Sequence, residues 1–275
     1  MKSKTLTTAV MKGKVLITGA TSGLGLAYAK EYAGKGYDLI LTGRRKEKLE
    51  KNANDIRHAS GVNVRYIIVE LSAQEGLDYL IDEIRCESIE VLINNAGYGL
   101  RPAFAELAEE DIAQLLFLQT ETVVMLTRFV LTGMLQRNSG TIINVSSDSA
   151  FAVMPSNVLY ASTKTFLLTF TEGLYMEFLD TDLHVQVICP GFMDSDFHES
   201  AGMKVDKHRK GFMKFTQPEE IVGASMKDLA RGKVVSEPTF DVKLIHILSR
   251  ILPRKIFYRM VISFTKKLRK SRNGR

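Results

Sequence analysis

The stretch Lys14-Val-Leu-Ile-Thr-Gly-Ala-Thr-Ser-Gly-Leu-Gly25 decides how this 275-residue chain folds. It opens on a short apolar run with β-branched residues, which favours a strand, and passes directly into a glycine turn. Leu24–Gly36 then repeats apolar residues at helical spacing. Glycine permits the tight turn and lets the backbone approach a pyrophosphate. The new helix N-terminus adds unpaired N–H groups and the positive end of its dipole. The spacing is Gly-x-x-x-Gly-x-Gly rather than the usual Gly-x-Gly-x-x-Gly, so the order strand, turn, helix carries the reading. Gly19, Thr21, Ser22, Gly23, Leu24 and Gly25 form the predicted phosphate cradle.

Outward from this unit the alternation repeats. Apolar runs at Asp38–Thr42, Val64–Val69, Val91–Asn94, Thr141–Val145 and Val185–Ile188 alternate with helical stretches such as Lys46–Ser60. Strands buried on both faces and separated by helices predict a parallel sheet with right-handed crossovers, a doubly wound α/β fold. Pro155–Leu179 is apolar all round, the pattern of a helix covered on more than one side. One side faces the sheet; the other meets a second subunit or another part of its own chain.

The end of the second strand reads Thr42-Gly43-Arg44-Arg45. An acidic residue there would bond the adenosine ribose and select NAD, whereas a guanidinium pairs with a phosphate. The pair Arg44 and Arg45 therefore predicts NADP(H). The plain alternative is two solvated arginines at a helix start, where cations oppose the dipole.

Three further pieces fall at strand ends, where open α/β sheets bind ligands. Asn94-Asn95-Ala96-Gly97 ends the fourth strand, Asn144-Val145-Ser146-Ser147 the fifth, and Cys189-Pro190-Gly191 the sixth. Tyr160 stands thirteen residues beyond Ser147, with Lys164 at i+4 on the same helix face. Together with the glycine turn, these residues resemble the short-chain dehydrogenase/reductase family over roughly residues 13–235. The resemblance implies a single Rossmann domain of seven parallel strands, usually assembled as a homodimer or homotetramer through long helices. It also implies hydride transfer between NADP(H) and a small-molecule carbonyl or alcohol. In that chemistry Tyr160 exchanges the proton, and Lys164 favours its phenolate and holds the nicotinamide ribose. The Ser147 hydroxyl orients the carbonyl oxygen. Ser146 is the rival one residue away, and family spacing favours Ser147.

The same resemblance carries over cofactor contacts onto Asn95, Ala96, Gly97, Pro190, Gly191 and Ser195, the last matching a position that touches the nicotinamide amide. Two positions depart from the family. Gln119 stands where an asparagine commonly anchors a relay water, and Glu70-Leu71 stands where an aspartate and an apolar residue commonly touch the adenine. Phe192, Met193, Phe197, Met203, Phe212, Met213 and Phe215 crowd the segment 192–217, which predicts either a hydrophobic substrate site or packing under a loop. His198 and His208 lie in the same segment. A cofactor-binding scaffold with little activity is the rival to an enzyme, fed by Gln119 and opposed by Ser147, Tyr160 and Lys164.

Composition limits what else the chain does. An apolar fraction of 45% with 25% charged residues suits a globular protein. Cys86 and Cys189 are the only cysteines and stand far apart, and the five histidines show no ligand spacing, so neither a disulfide framework nor a metal is expected. No apolar run reaches the roughly 18 residues of a spanning helix, and the start lacks the core of an export signal, which predicts a cytoplasmic protein. The net charge of +6 is uneven: from Lys243 onward there are eleven basic residues and no acidic one, leaving 26 basic and 31 acidic residues before it. The chain thus divides into a tail (1–12), a catalytic domain (13–238) and a basic amphipathic extension (239–275). The extension suits either an anionic membrane surface or a groove on the body or a neighbour, with Pro253 splitting it into two short helices. No nucleic-acid motif accompanies the charge.

Overall fold

The computed structural model describes residues 13–100, 102–155, 157–193 and 215–273. Its strands are β1 (Lys14–Ile17), β2 (Asp38–Gly43), β3 (Val64–Ile68), β4 (Ile89–Asn94), β5 (Gly140–Val145), β6 (Leu183–Ile188) and β7 (Val235–Ser236). All pair in parallel in the order β3-β2-β1-β4-β5-β6-β7. Each apolar run read as a strand forms one. The two residues of β7 are too few to show a period. The strand order turns back between β1 and β4, which opens a crevice at their carboxyl ends.

The connections are helical: α1 (Gly23–Gly34), α2 (Lys46–Ser60), α3 (Gln74–Ile84), α4 (Glu109–Leu116), α5 (Thr122–Arg137), α6 (Val158–Glu177) and α7 (Pro218–Leu229). Side chains alternate across the pleat. Val15, Ile17, Leu39 and Leu41 enter one core with Tyr28 of α1, Leu49 of α2 and Ile221 of α7. Leu16, Ile40, Leu92 and Ile142 enter the other with Leu77 of α3, Leu126 of α5 and Leu174 of α6. The Tyr28 hydroxyl lies 2.7 Å from Ser225 Oγ, fastening α1 to α7 inside the first core.

In α6, Ala161, Leu167, Leu168 and Leu174 are buried, while Val158, Phe166 and Met176 are exposed. After β7 the chain forms α8 (Phe240–Ile251) and α9 (Arg254–Asn273), separated at Leu252-Pro253 as the proline predicts. At 20 residues α9 is longer than the short helix expected. Val242 and Phe257 bury one side of each. The helical run Glu109–Arg137 is long and apolar enough to cross a membrane by length and composition, contrary to the expectation from its interrupted apolar sequence. Half of its most apolar window is packed inside the protein, against the sheet.

Candidate active site

The site begins where the glycine turn meets the end of β4. Gly19 has φ +68°, and a Cβ there would stand 2.9 Å from Ala96 Cα. A Cβ on Gly25 would stand 2.4 Å from the Gly19 carbonyl oxygen. Only glycine lets these three backbone segments close up. Asn95 holds them together: its Nδ2 donates to the carbonyls of Thr18 and Gly19, both at 2.9 Å. The backbone N–H groups of Asn95 and Ala96 both donate to Thr18 Oγ1 at 3.0 Å. Asn95 was expected to touch the cofactor, but its amide is directed at the turn itself. The N-cap residue of α1, Ser22, makes no capping bond, which leaves the N–H groups of the first turn without that partner, as a pyrophosphate site requires. The cradle therefore fits a dinucleotide. Leu24 and Leu71, read as contacts, are buried in the two cores.

At the end of β2 the arginines part. Arg45 Nη2 donates to Thr21 Oγ1 at 2.7 Å and to Ser22 Oγ at 2.8 Å, bracing the phosphate turn. Arg44 Nη1 meets Glu70 Oε2 at 2.9 Å, with both side chains substantially exposed. Burial pushes the Glu70 carboxyl up, and Arg44 and Ser72 outweigh it, leaving the group below its ordinary range. Glu70 was read as an adenine contact; here its carboxylate holds Arg44 and accepts from the Ser72 N–H at 3.0 Å.

Ser147 ends the β5 segment with its hydroxyl in the crevice. It donates to Asp148 Oδ1 at 2.9 Å, accepts from the Ser149 N–H at 3.1 Å, and is hydrogen-bonded with the Tyr160 hydroxyl. Ser146 is occupied elsewhere, donating to the Lys164 carbonyl at 2.7 Å. Lys164 Nζ donates to the Val145 carbonyl at 2.9 Å and lies 5.4 Å from the Tyr160 ring centre. A Cβ at Gly97 would stand 3.4 Å from Gln119 Nε2 and 3.6 Å from Lys164 Nζ, so the end of β4 lies against both side chains. The Asp148 N–H donates to the Pro190 carbonyl at 2.9 Å, joining the Pro-Gly turn to the serine loop. Gly191 faces α8: a Cβ there would be 3.1 Å from Val242 Cγ2 and 3.6 Å from Asp241 Oδ2.

Burial governs the protonation states. It lowers Lys164 to about 8, raises Tyr160 above its ordinary value, and, helped by Asp241, raises Asp148 to about 6. The depressed tyrosine pKa expected from Lys164 is not seen in the protein alone, because desolvation of the phenol prevails. Cys189 is buried and its thiol is pushed up, which makes it inert. Gln119 is fully buried in a widened π turn, Phe117–Glu121. Its Nε2 donates to the Tyr98 carbonyl at 2.6 Å and its Oε1 accepts from Thr163 Oγ1 at 2.9 Å. Ser195, His198 and His208 lie outside the described residues. Among the described residues no acidic, histidine and cysteine cluster is arranged to hold a metal. Thr18, Asp148 and Thr163 were missed, since a lone threonine or aspartate beside a motif carries no spacing of its own.

Residues 13–206 match the short chain dehydrogenase family. The very-long-chain 3-oxoacyl-CoA reductase of Rattus norvegicus is 29% identical over 92% of this chain and 80% of its own. The 17-beta-hydroxysteroid dehydrogenase type 3 of Danio rerio is 32% identical over 79% of this chain and 70% of its own. The solved short-chain dehydrogenase from Sphingobium yanoikuyae in complex with NADPH superposes with a TM-score of 0.78 at 29% identity, covering 88% of this chain and 97% of that one. The bulky-bulky ketone specific alcohol dehydrogenase from Comamonas testosteroni gives 0.74 at 25%, covering 89% and 96%. The matched span runs from the glycine turn through the tyrosine and lysine, and this chain belongs to the short-chain dehydrogenase/reductase family, whose oxidoreductase chemistry moves hydride between a nicotinamide cofactor and a carbonyl or alcohol.

Proposed function

We propose that the protein is an NADP(H)-dependent reductase of bulky, apolar carbonyl compounds, working in the cytoplasm as a homo-oligomer. The observation that carries the chemistry is Tyr160 hydrogen-bonded with Ser147 and set over Lys164, which adjoins Gly97 at the end of β4. When bound, the cofactor supplies or accepts the hydride. The turn Gly19–Gly25 with the α1 N-terminus would hold its pyrophosphate, and Gly97, Lys164, Pro190 and Gly191 border the space for its nicotinamide half. The Ser147 hydroxyl donates to the substrate carbonyl oxygen, and Tyr160 delivers a proton to that oxygen as negative charge develops on it. Burial keeps Tyr160 protonated until that moment. The Lys164 cation then favours the phenolate left behind. In the reverse direction Tyr160 takes the proton. Gln119 braces the loop after β4 against α6, and in this reading its amide replaces the relay water's anchor with a direct clamp.

Cofactor preference rests on Arg44. Its pair with Glu70 is exposed, and such pairs contribute about 0–1 kcal/mol. A doubly charged phosphate with bidentate geometry outcompetes it. The names of the relatives, which act on very-long-chain 3-oxoacyl-CoA, hydroxysteroids and bulky-bulky ketones, support an apolar substrate of considerable size. Titration of both cofactors by fluorescence tests the reading. NADPH should bind at least about tenfold tighter than NADH, one tenfold step being 1.4 kcal/mol. Arg44→Ala should erase most of that ratio. Equal dissociation constants for the two cofactors in the native protein would refute it.

A further inference from the structure

The C-terminal helices carry a surface that hydride transfer does not use. In α8, Phe240, Ile247 and Ile251 are 74%, 52% and 72% exposed. They are seven and eleven residues apart, so at 3.6 residues per turn they stand within about 40° of one another. Lys243 and Arg250, both exposed, lie along one edge of that stripe. In α9, Ile256, Tyr258, Met260 and Ile262 are exposed around Lys255 and Arg259, while Phe257 is buried and anchors the helix. Scattered apolar residues on a surface are ordinary; a continuous stripe edged by cations marks an interaction face.

We propose that α8 and α9 dock the protein on an anionic lipid bilayer, with Phe240, Ile247, Ile251 and Ile256 entering the interface. Charge chooses this occupant. From Lys243 to the C-terminus there are eleven basic residues and no acidic one, whereas the rest of the chain has 26 basic against 31 acidic. An apolar stripe flanked by lysine and arginine is the pattern of a helix lying in the headgroup plane, and each basic group near anionic lipid adds to the attraction. The exposed apolar face on α6 differs in kind: Glu172 and Glu177 are the only charged residues of that helix besides the buried Lys164. That face suits a second copy of the chain; the basic one suits phosphate headgroups.

The docking face is joined to the active site. Asp241 and Val242 of α8 lie against Gly191, and the His246 ring stacks on Phe151 at 4.1 Å, three residues after Asp148. His246 Nδ1 also meets Glu237 Oε1 at 2.5 Å. A bilayer held by α8 therefore adjoins the serine loop, where an apolar carbonyl compound would enter. The docking itself does not depend on the substrate reading.

Flotation of the full chain with phosphatidylglycerol-containing vesicles, against pure phosphatidylcholine, tests the proposal. Binding is expected only to the anionic vesicles, and high salt should release it. Ile247→Glu with Ile251→Glu should reduce flotation at least about tenfold. Turnover of a small water-soluble ketone and the sedimentation mass should stay unchanged in that variant. Lys255→Glu with Arg259→Glu, which alters no apolar group, should also weaken flotation. Failure of the native chain to float, or flotation retained in both variants, would overturn the proposal. So would a change of oligomer mass in the first variant, since the face would then lie between copies.

Discussion

Ser147 has one proton to donate, and in the protein alone Asp148 receives it. On the proposed mechanism, carbonyl binding would turn the serine hydroxyl from Asp148 to the substrate, and the state of Asp148 would decide how readily it turns. Burial first, and Asp241 second among the raising causes, lift Asp148 to about 6. The folded protein holds this proton more tightly than the unfolded chain does. The resulting stability is fully present below about pH 4 and is lost as the pH rises through 6. At pH 8 the fold carries an ionised carboxylate that Asp148→Asn removes. Because part of Asp148 reaches solvent, the gain is about 1–2 kcal/mol at pH 8 and close to nothing at pH 4. Urea unfolding at the two pH values measures it; an equal change at both would show that the charge is not the cause. Residues of this kind were hidden in the sequence. Ser147, Tyr160 and Lys164 show themselves by spacing on strand end and helix, whereas Asp148 and Thr163 gain meaning only through partners brought close by folding.

At the scale of elements, the widened turn Phe117–Glu121 between α4 and α5 is the clearest specialisation. A π turn inserted in a helix commonly marks a functional site, and this one carries Gln119 inward. Both ends of the amide are used, on the Tyr98 carbonyl and the Thr163 hydroxyl, so the loop after β4 and helix α6 are tied through one side chain. Gln119→Met keeps the length and removes both bonds. It should cost about 1–3 kcal/mol, the penalty for leaving buried polar groups unpaired, and lower turnover as the loop loosens. Chemical denaturation and steady-state rates measure the two effects; a stability change under about 0.5 kcal/mol would show that the clamp is not needed. The strands were legible because each is a β-branched run buried on both faces. Gln119 was found by spacing alone, and its turn was not, since a π turn leaves no periodic mark in five residues. The division of Arg44 and Arg45 between Glu70 and the phosphate turn was equally invisible, because adjacent identical residues carry no sign of where each points.

Among the described residues, the exposed apolar faces of α6 and of α8 with α9 differ in their chemistry. The proposed homo-oligomer would use the α6 face, with Val158, Phe166 and Met176 exposed, in keeping with the oligomers common in the family. Phe166→Glu with Met176→Glu should lower the sedimentation mass to that of a monomer, and an unchanged mass would place the contact elsewhere. The all-round apolar pattern of this helix was plain in the sequence. What covers its outer side was not, because a composition pattern does not name its partner. The extension was recognised by charge, and its stripe required the structure, since only packing shows which side of α8 and α9 is left open. In the proposed reaction Tyr160, hydrogen-bonded with Ser147 and adjoining Lys164, delivers the proton to the carbonyl oxygen. Measuring NADPH-dependent ketone turnover and NADPH affinity side by side in Tyr160→Phe tests it most directly. The account predicts turnover lower by about 10²–10⁴-fold with affinity nearly unchanged. Turnover within a few fold of the native protein, at undiminished affinity, would contradict it.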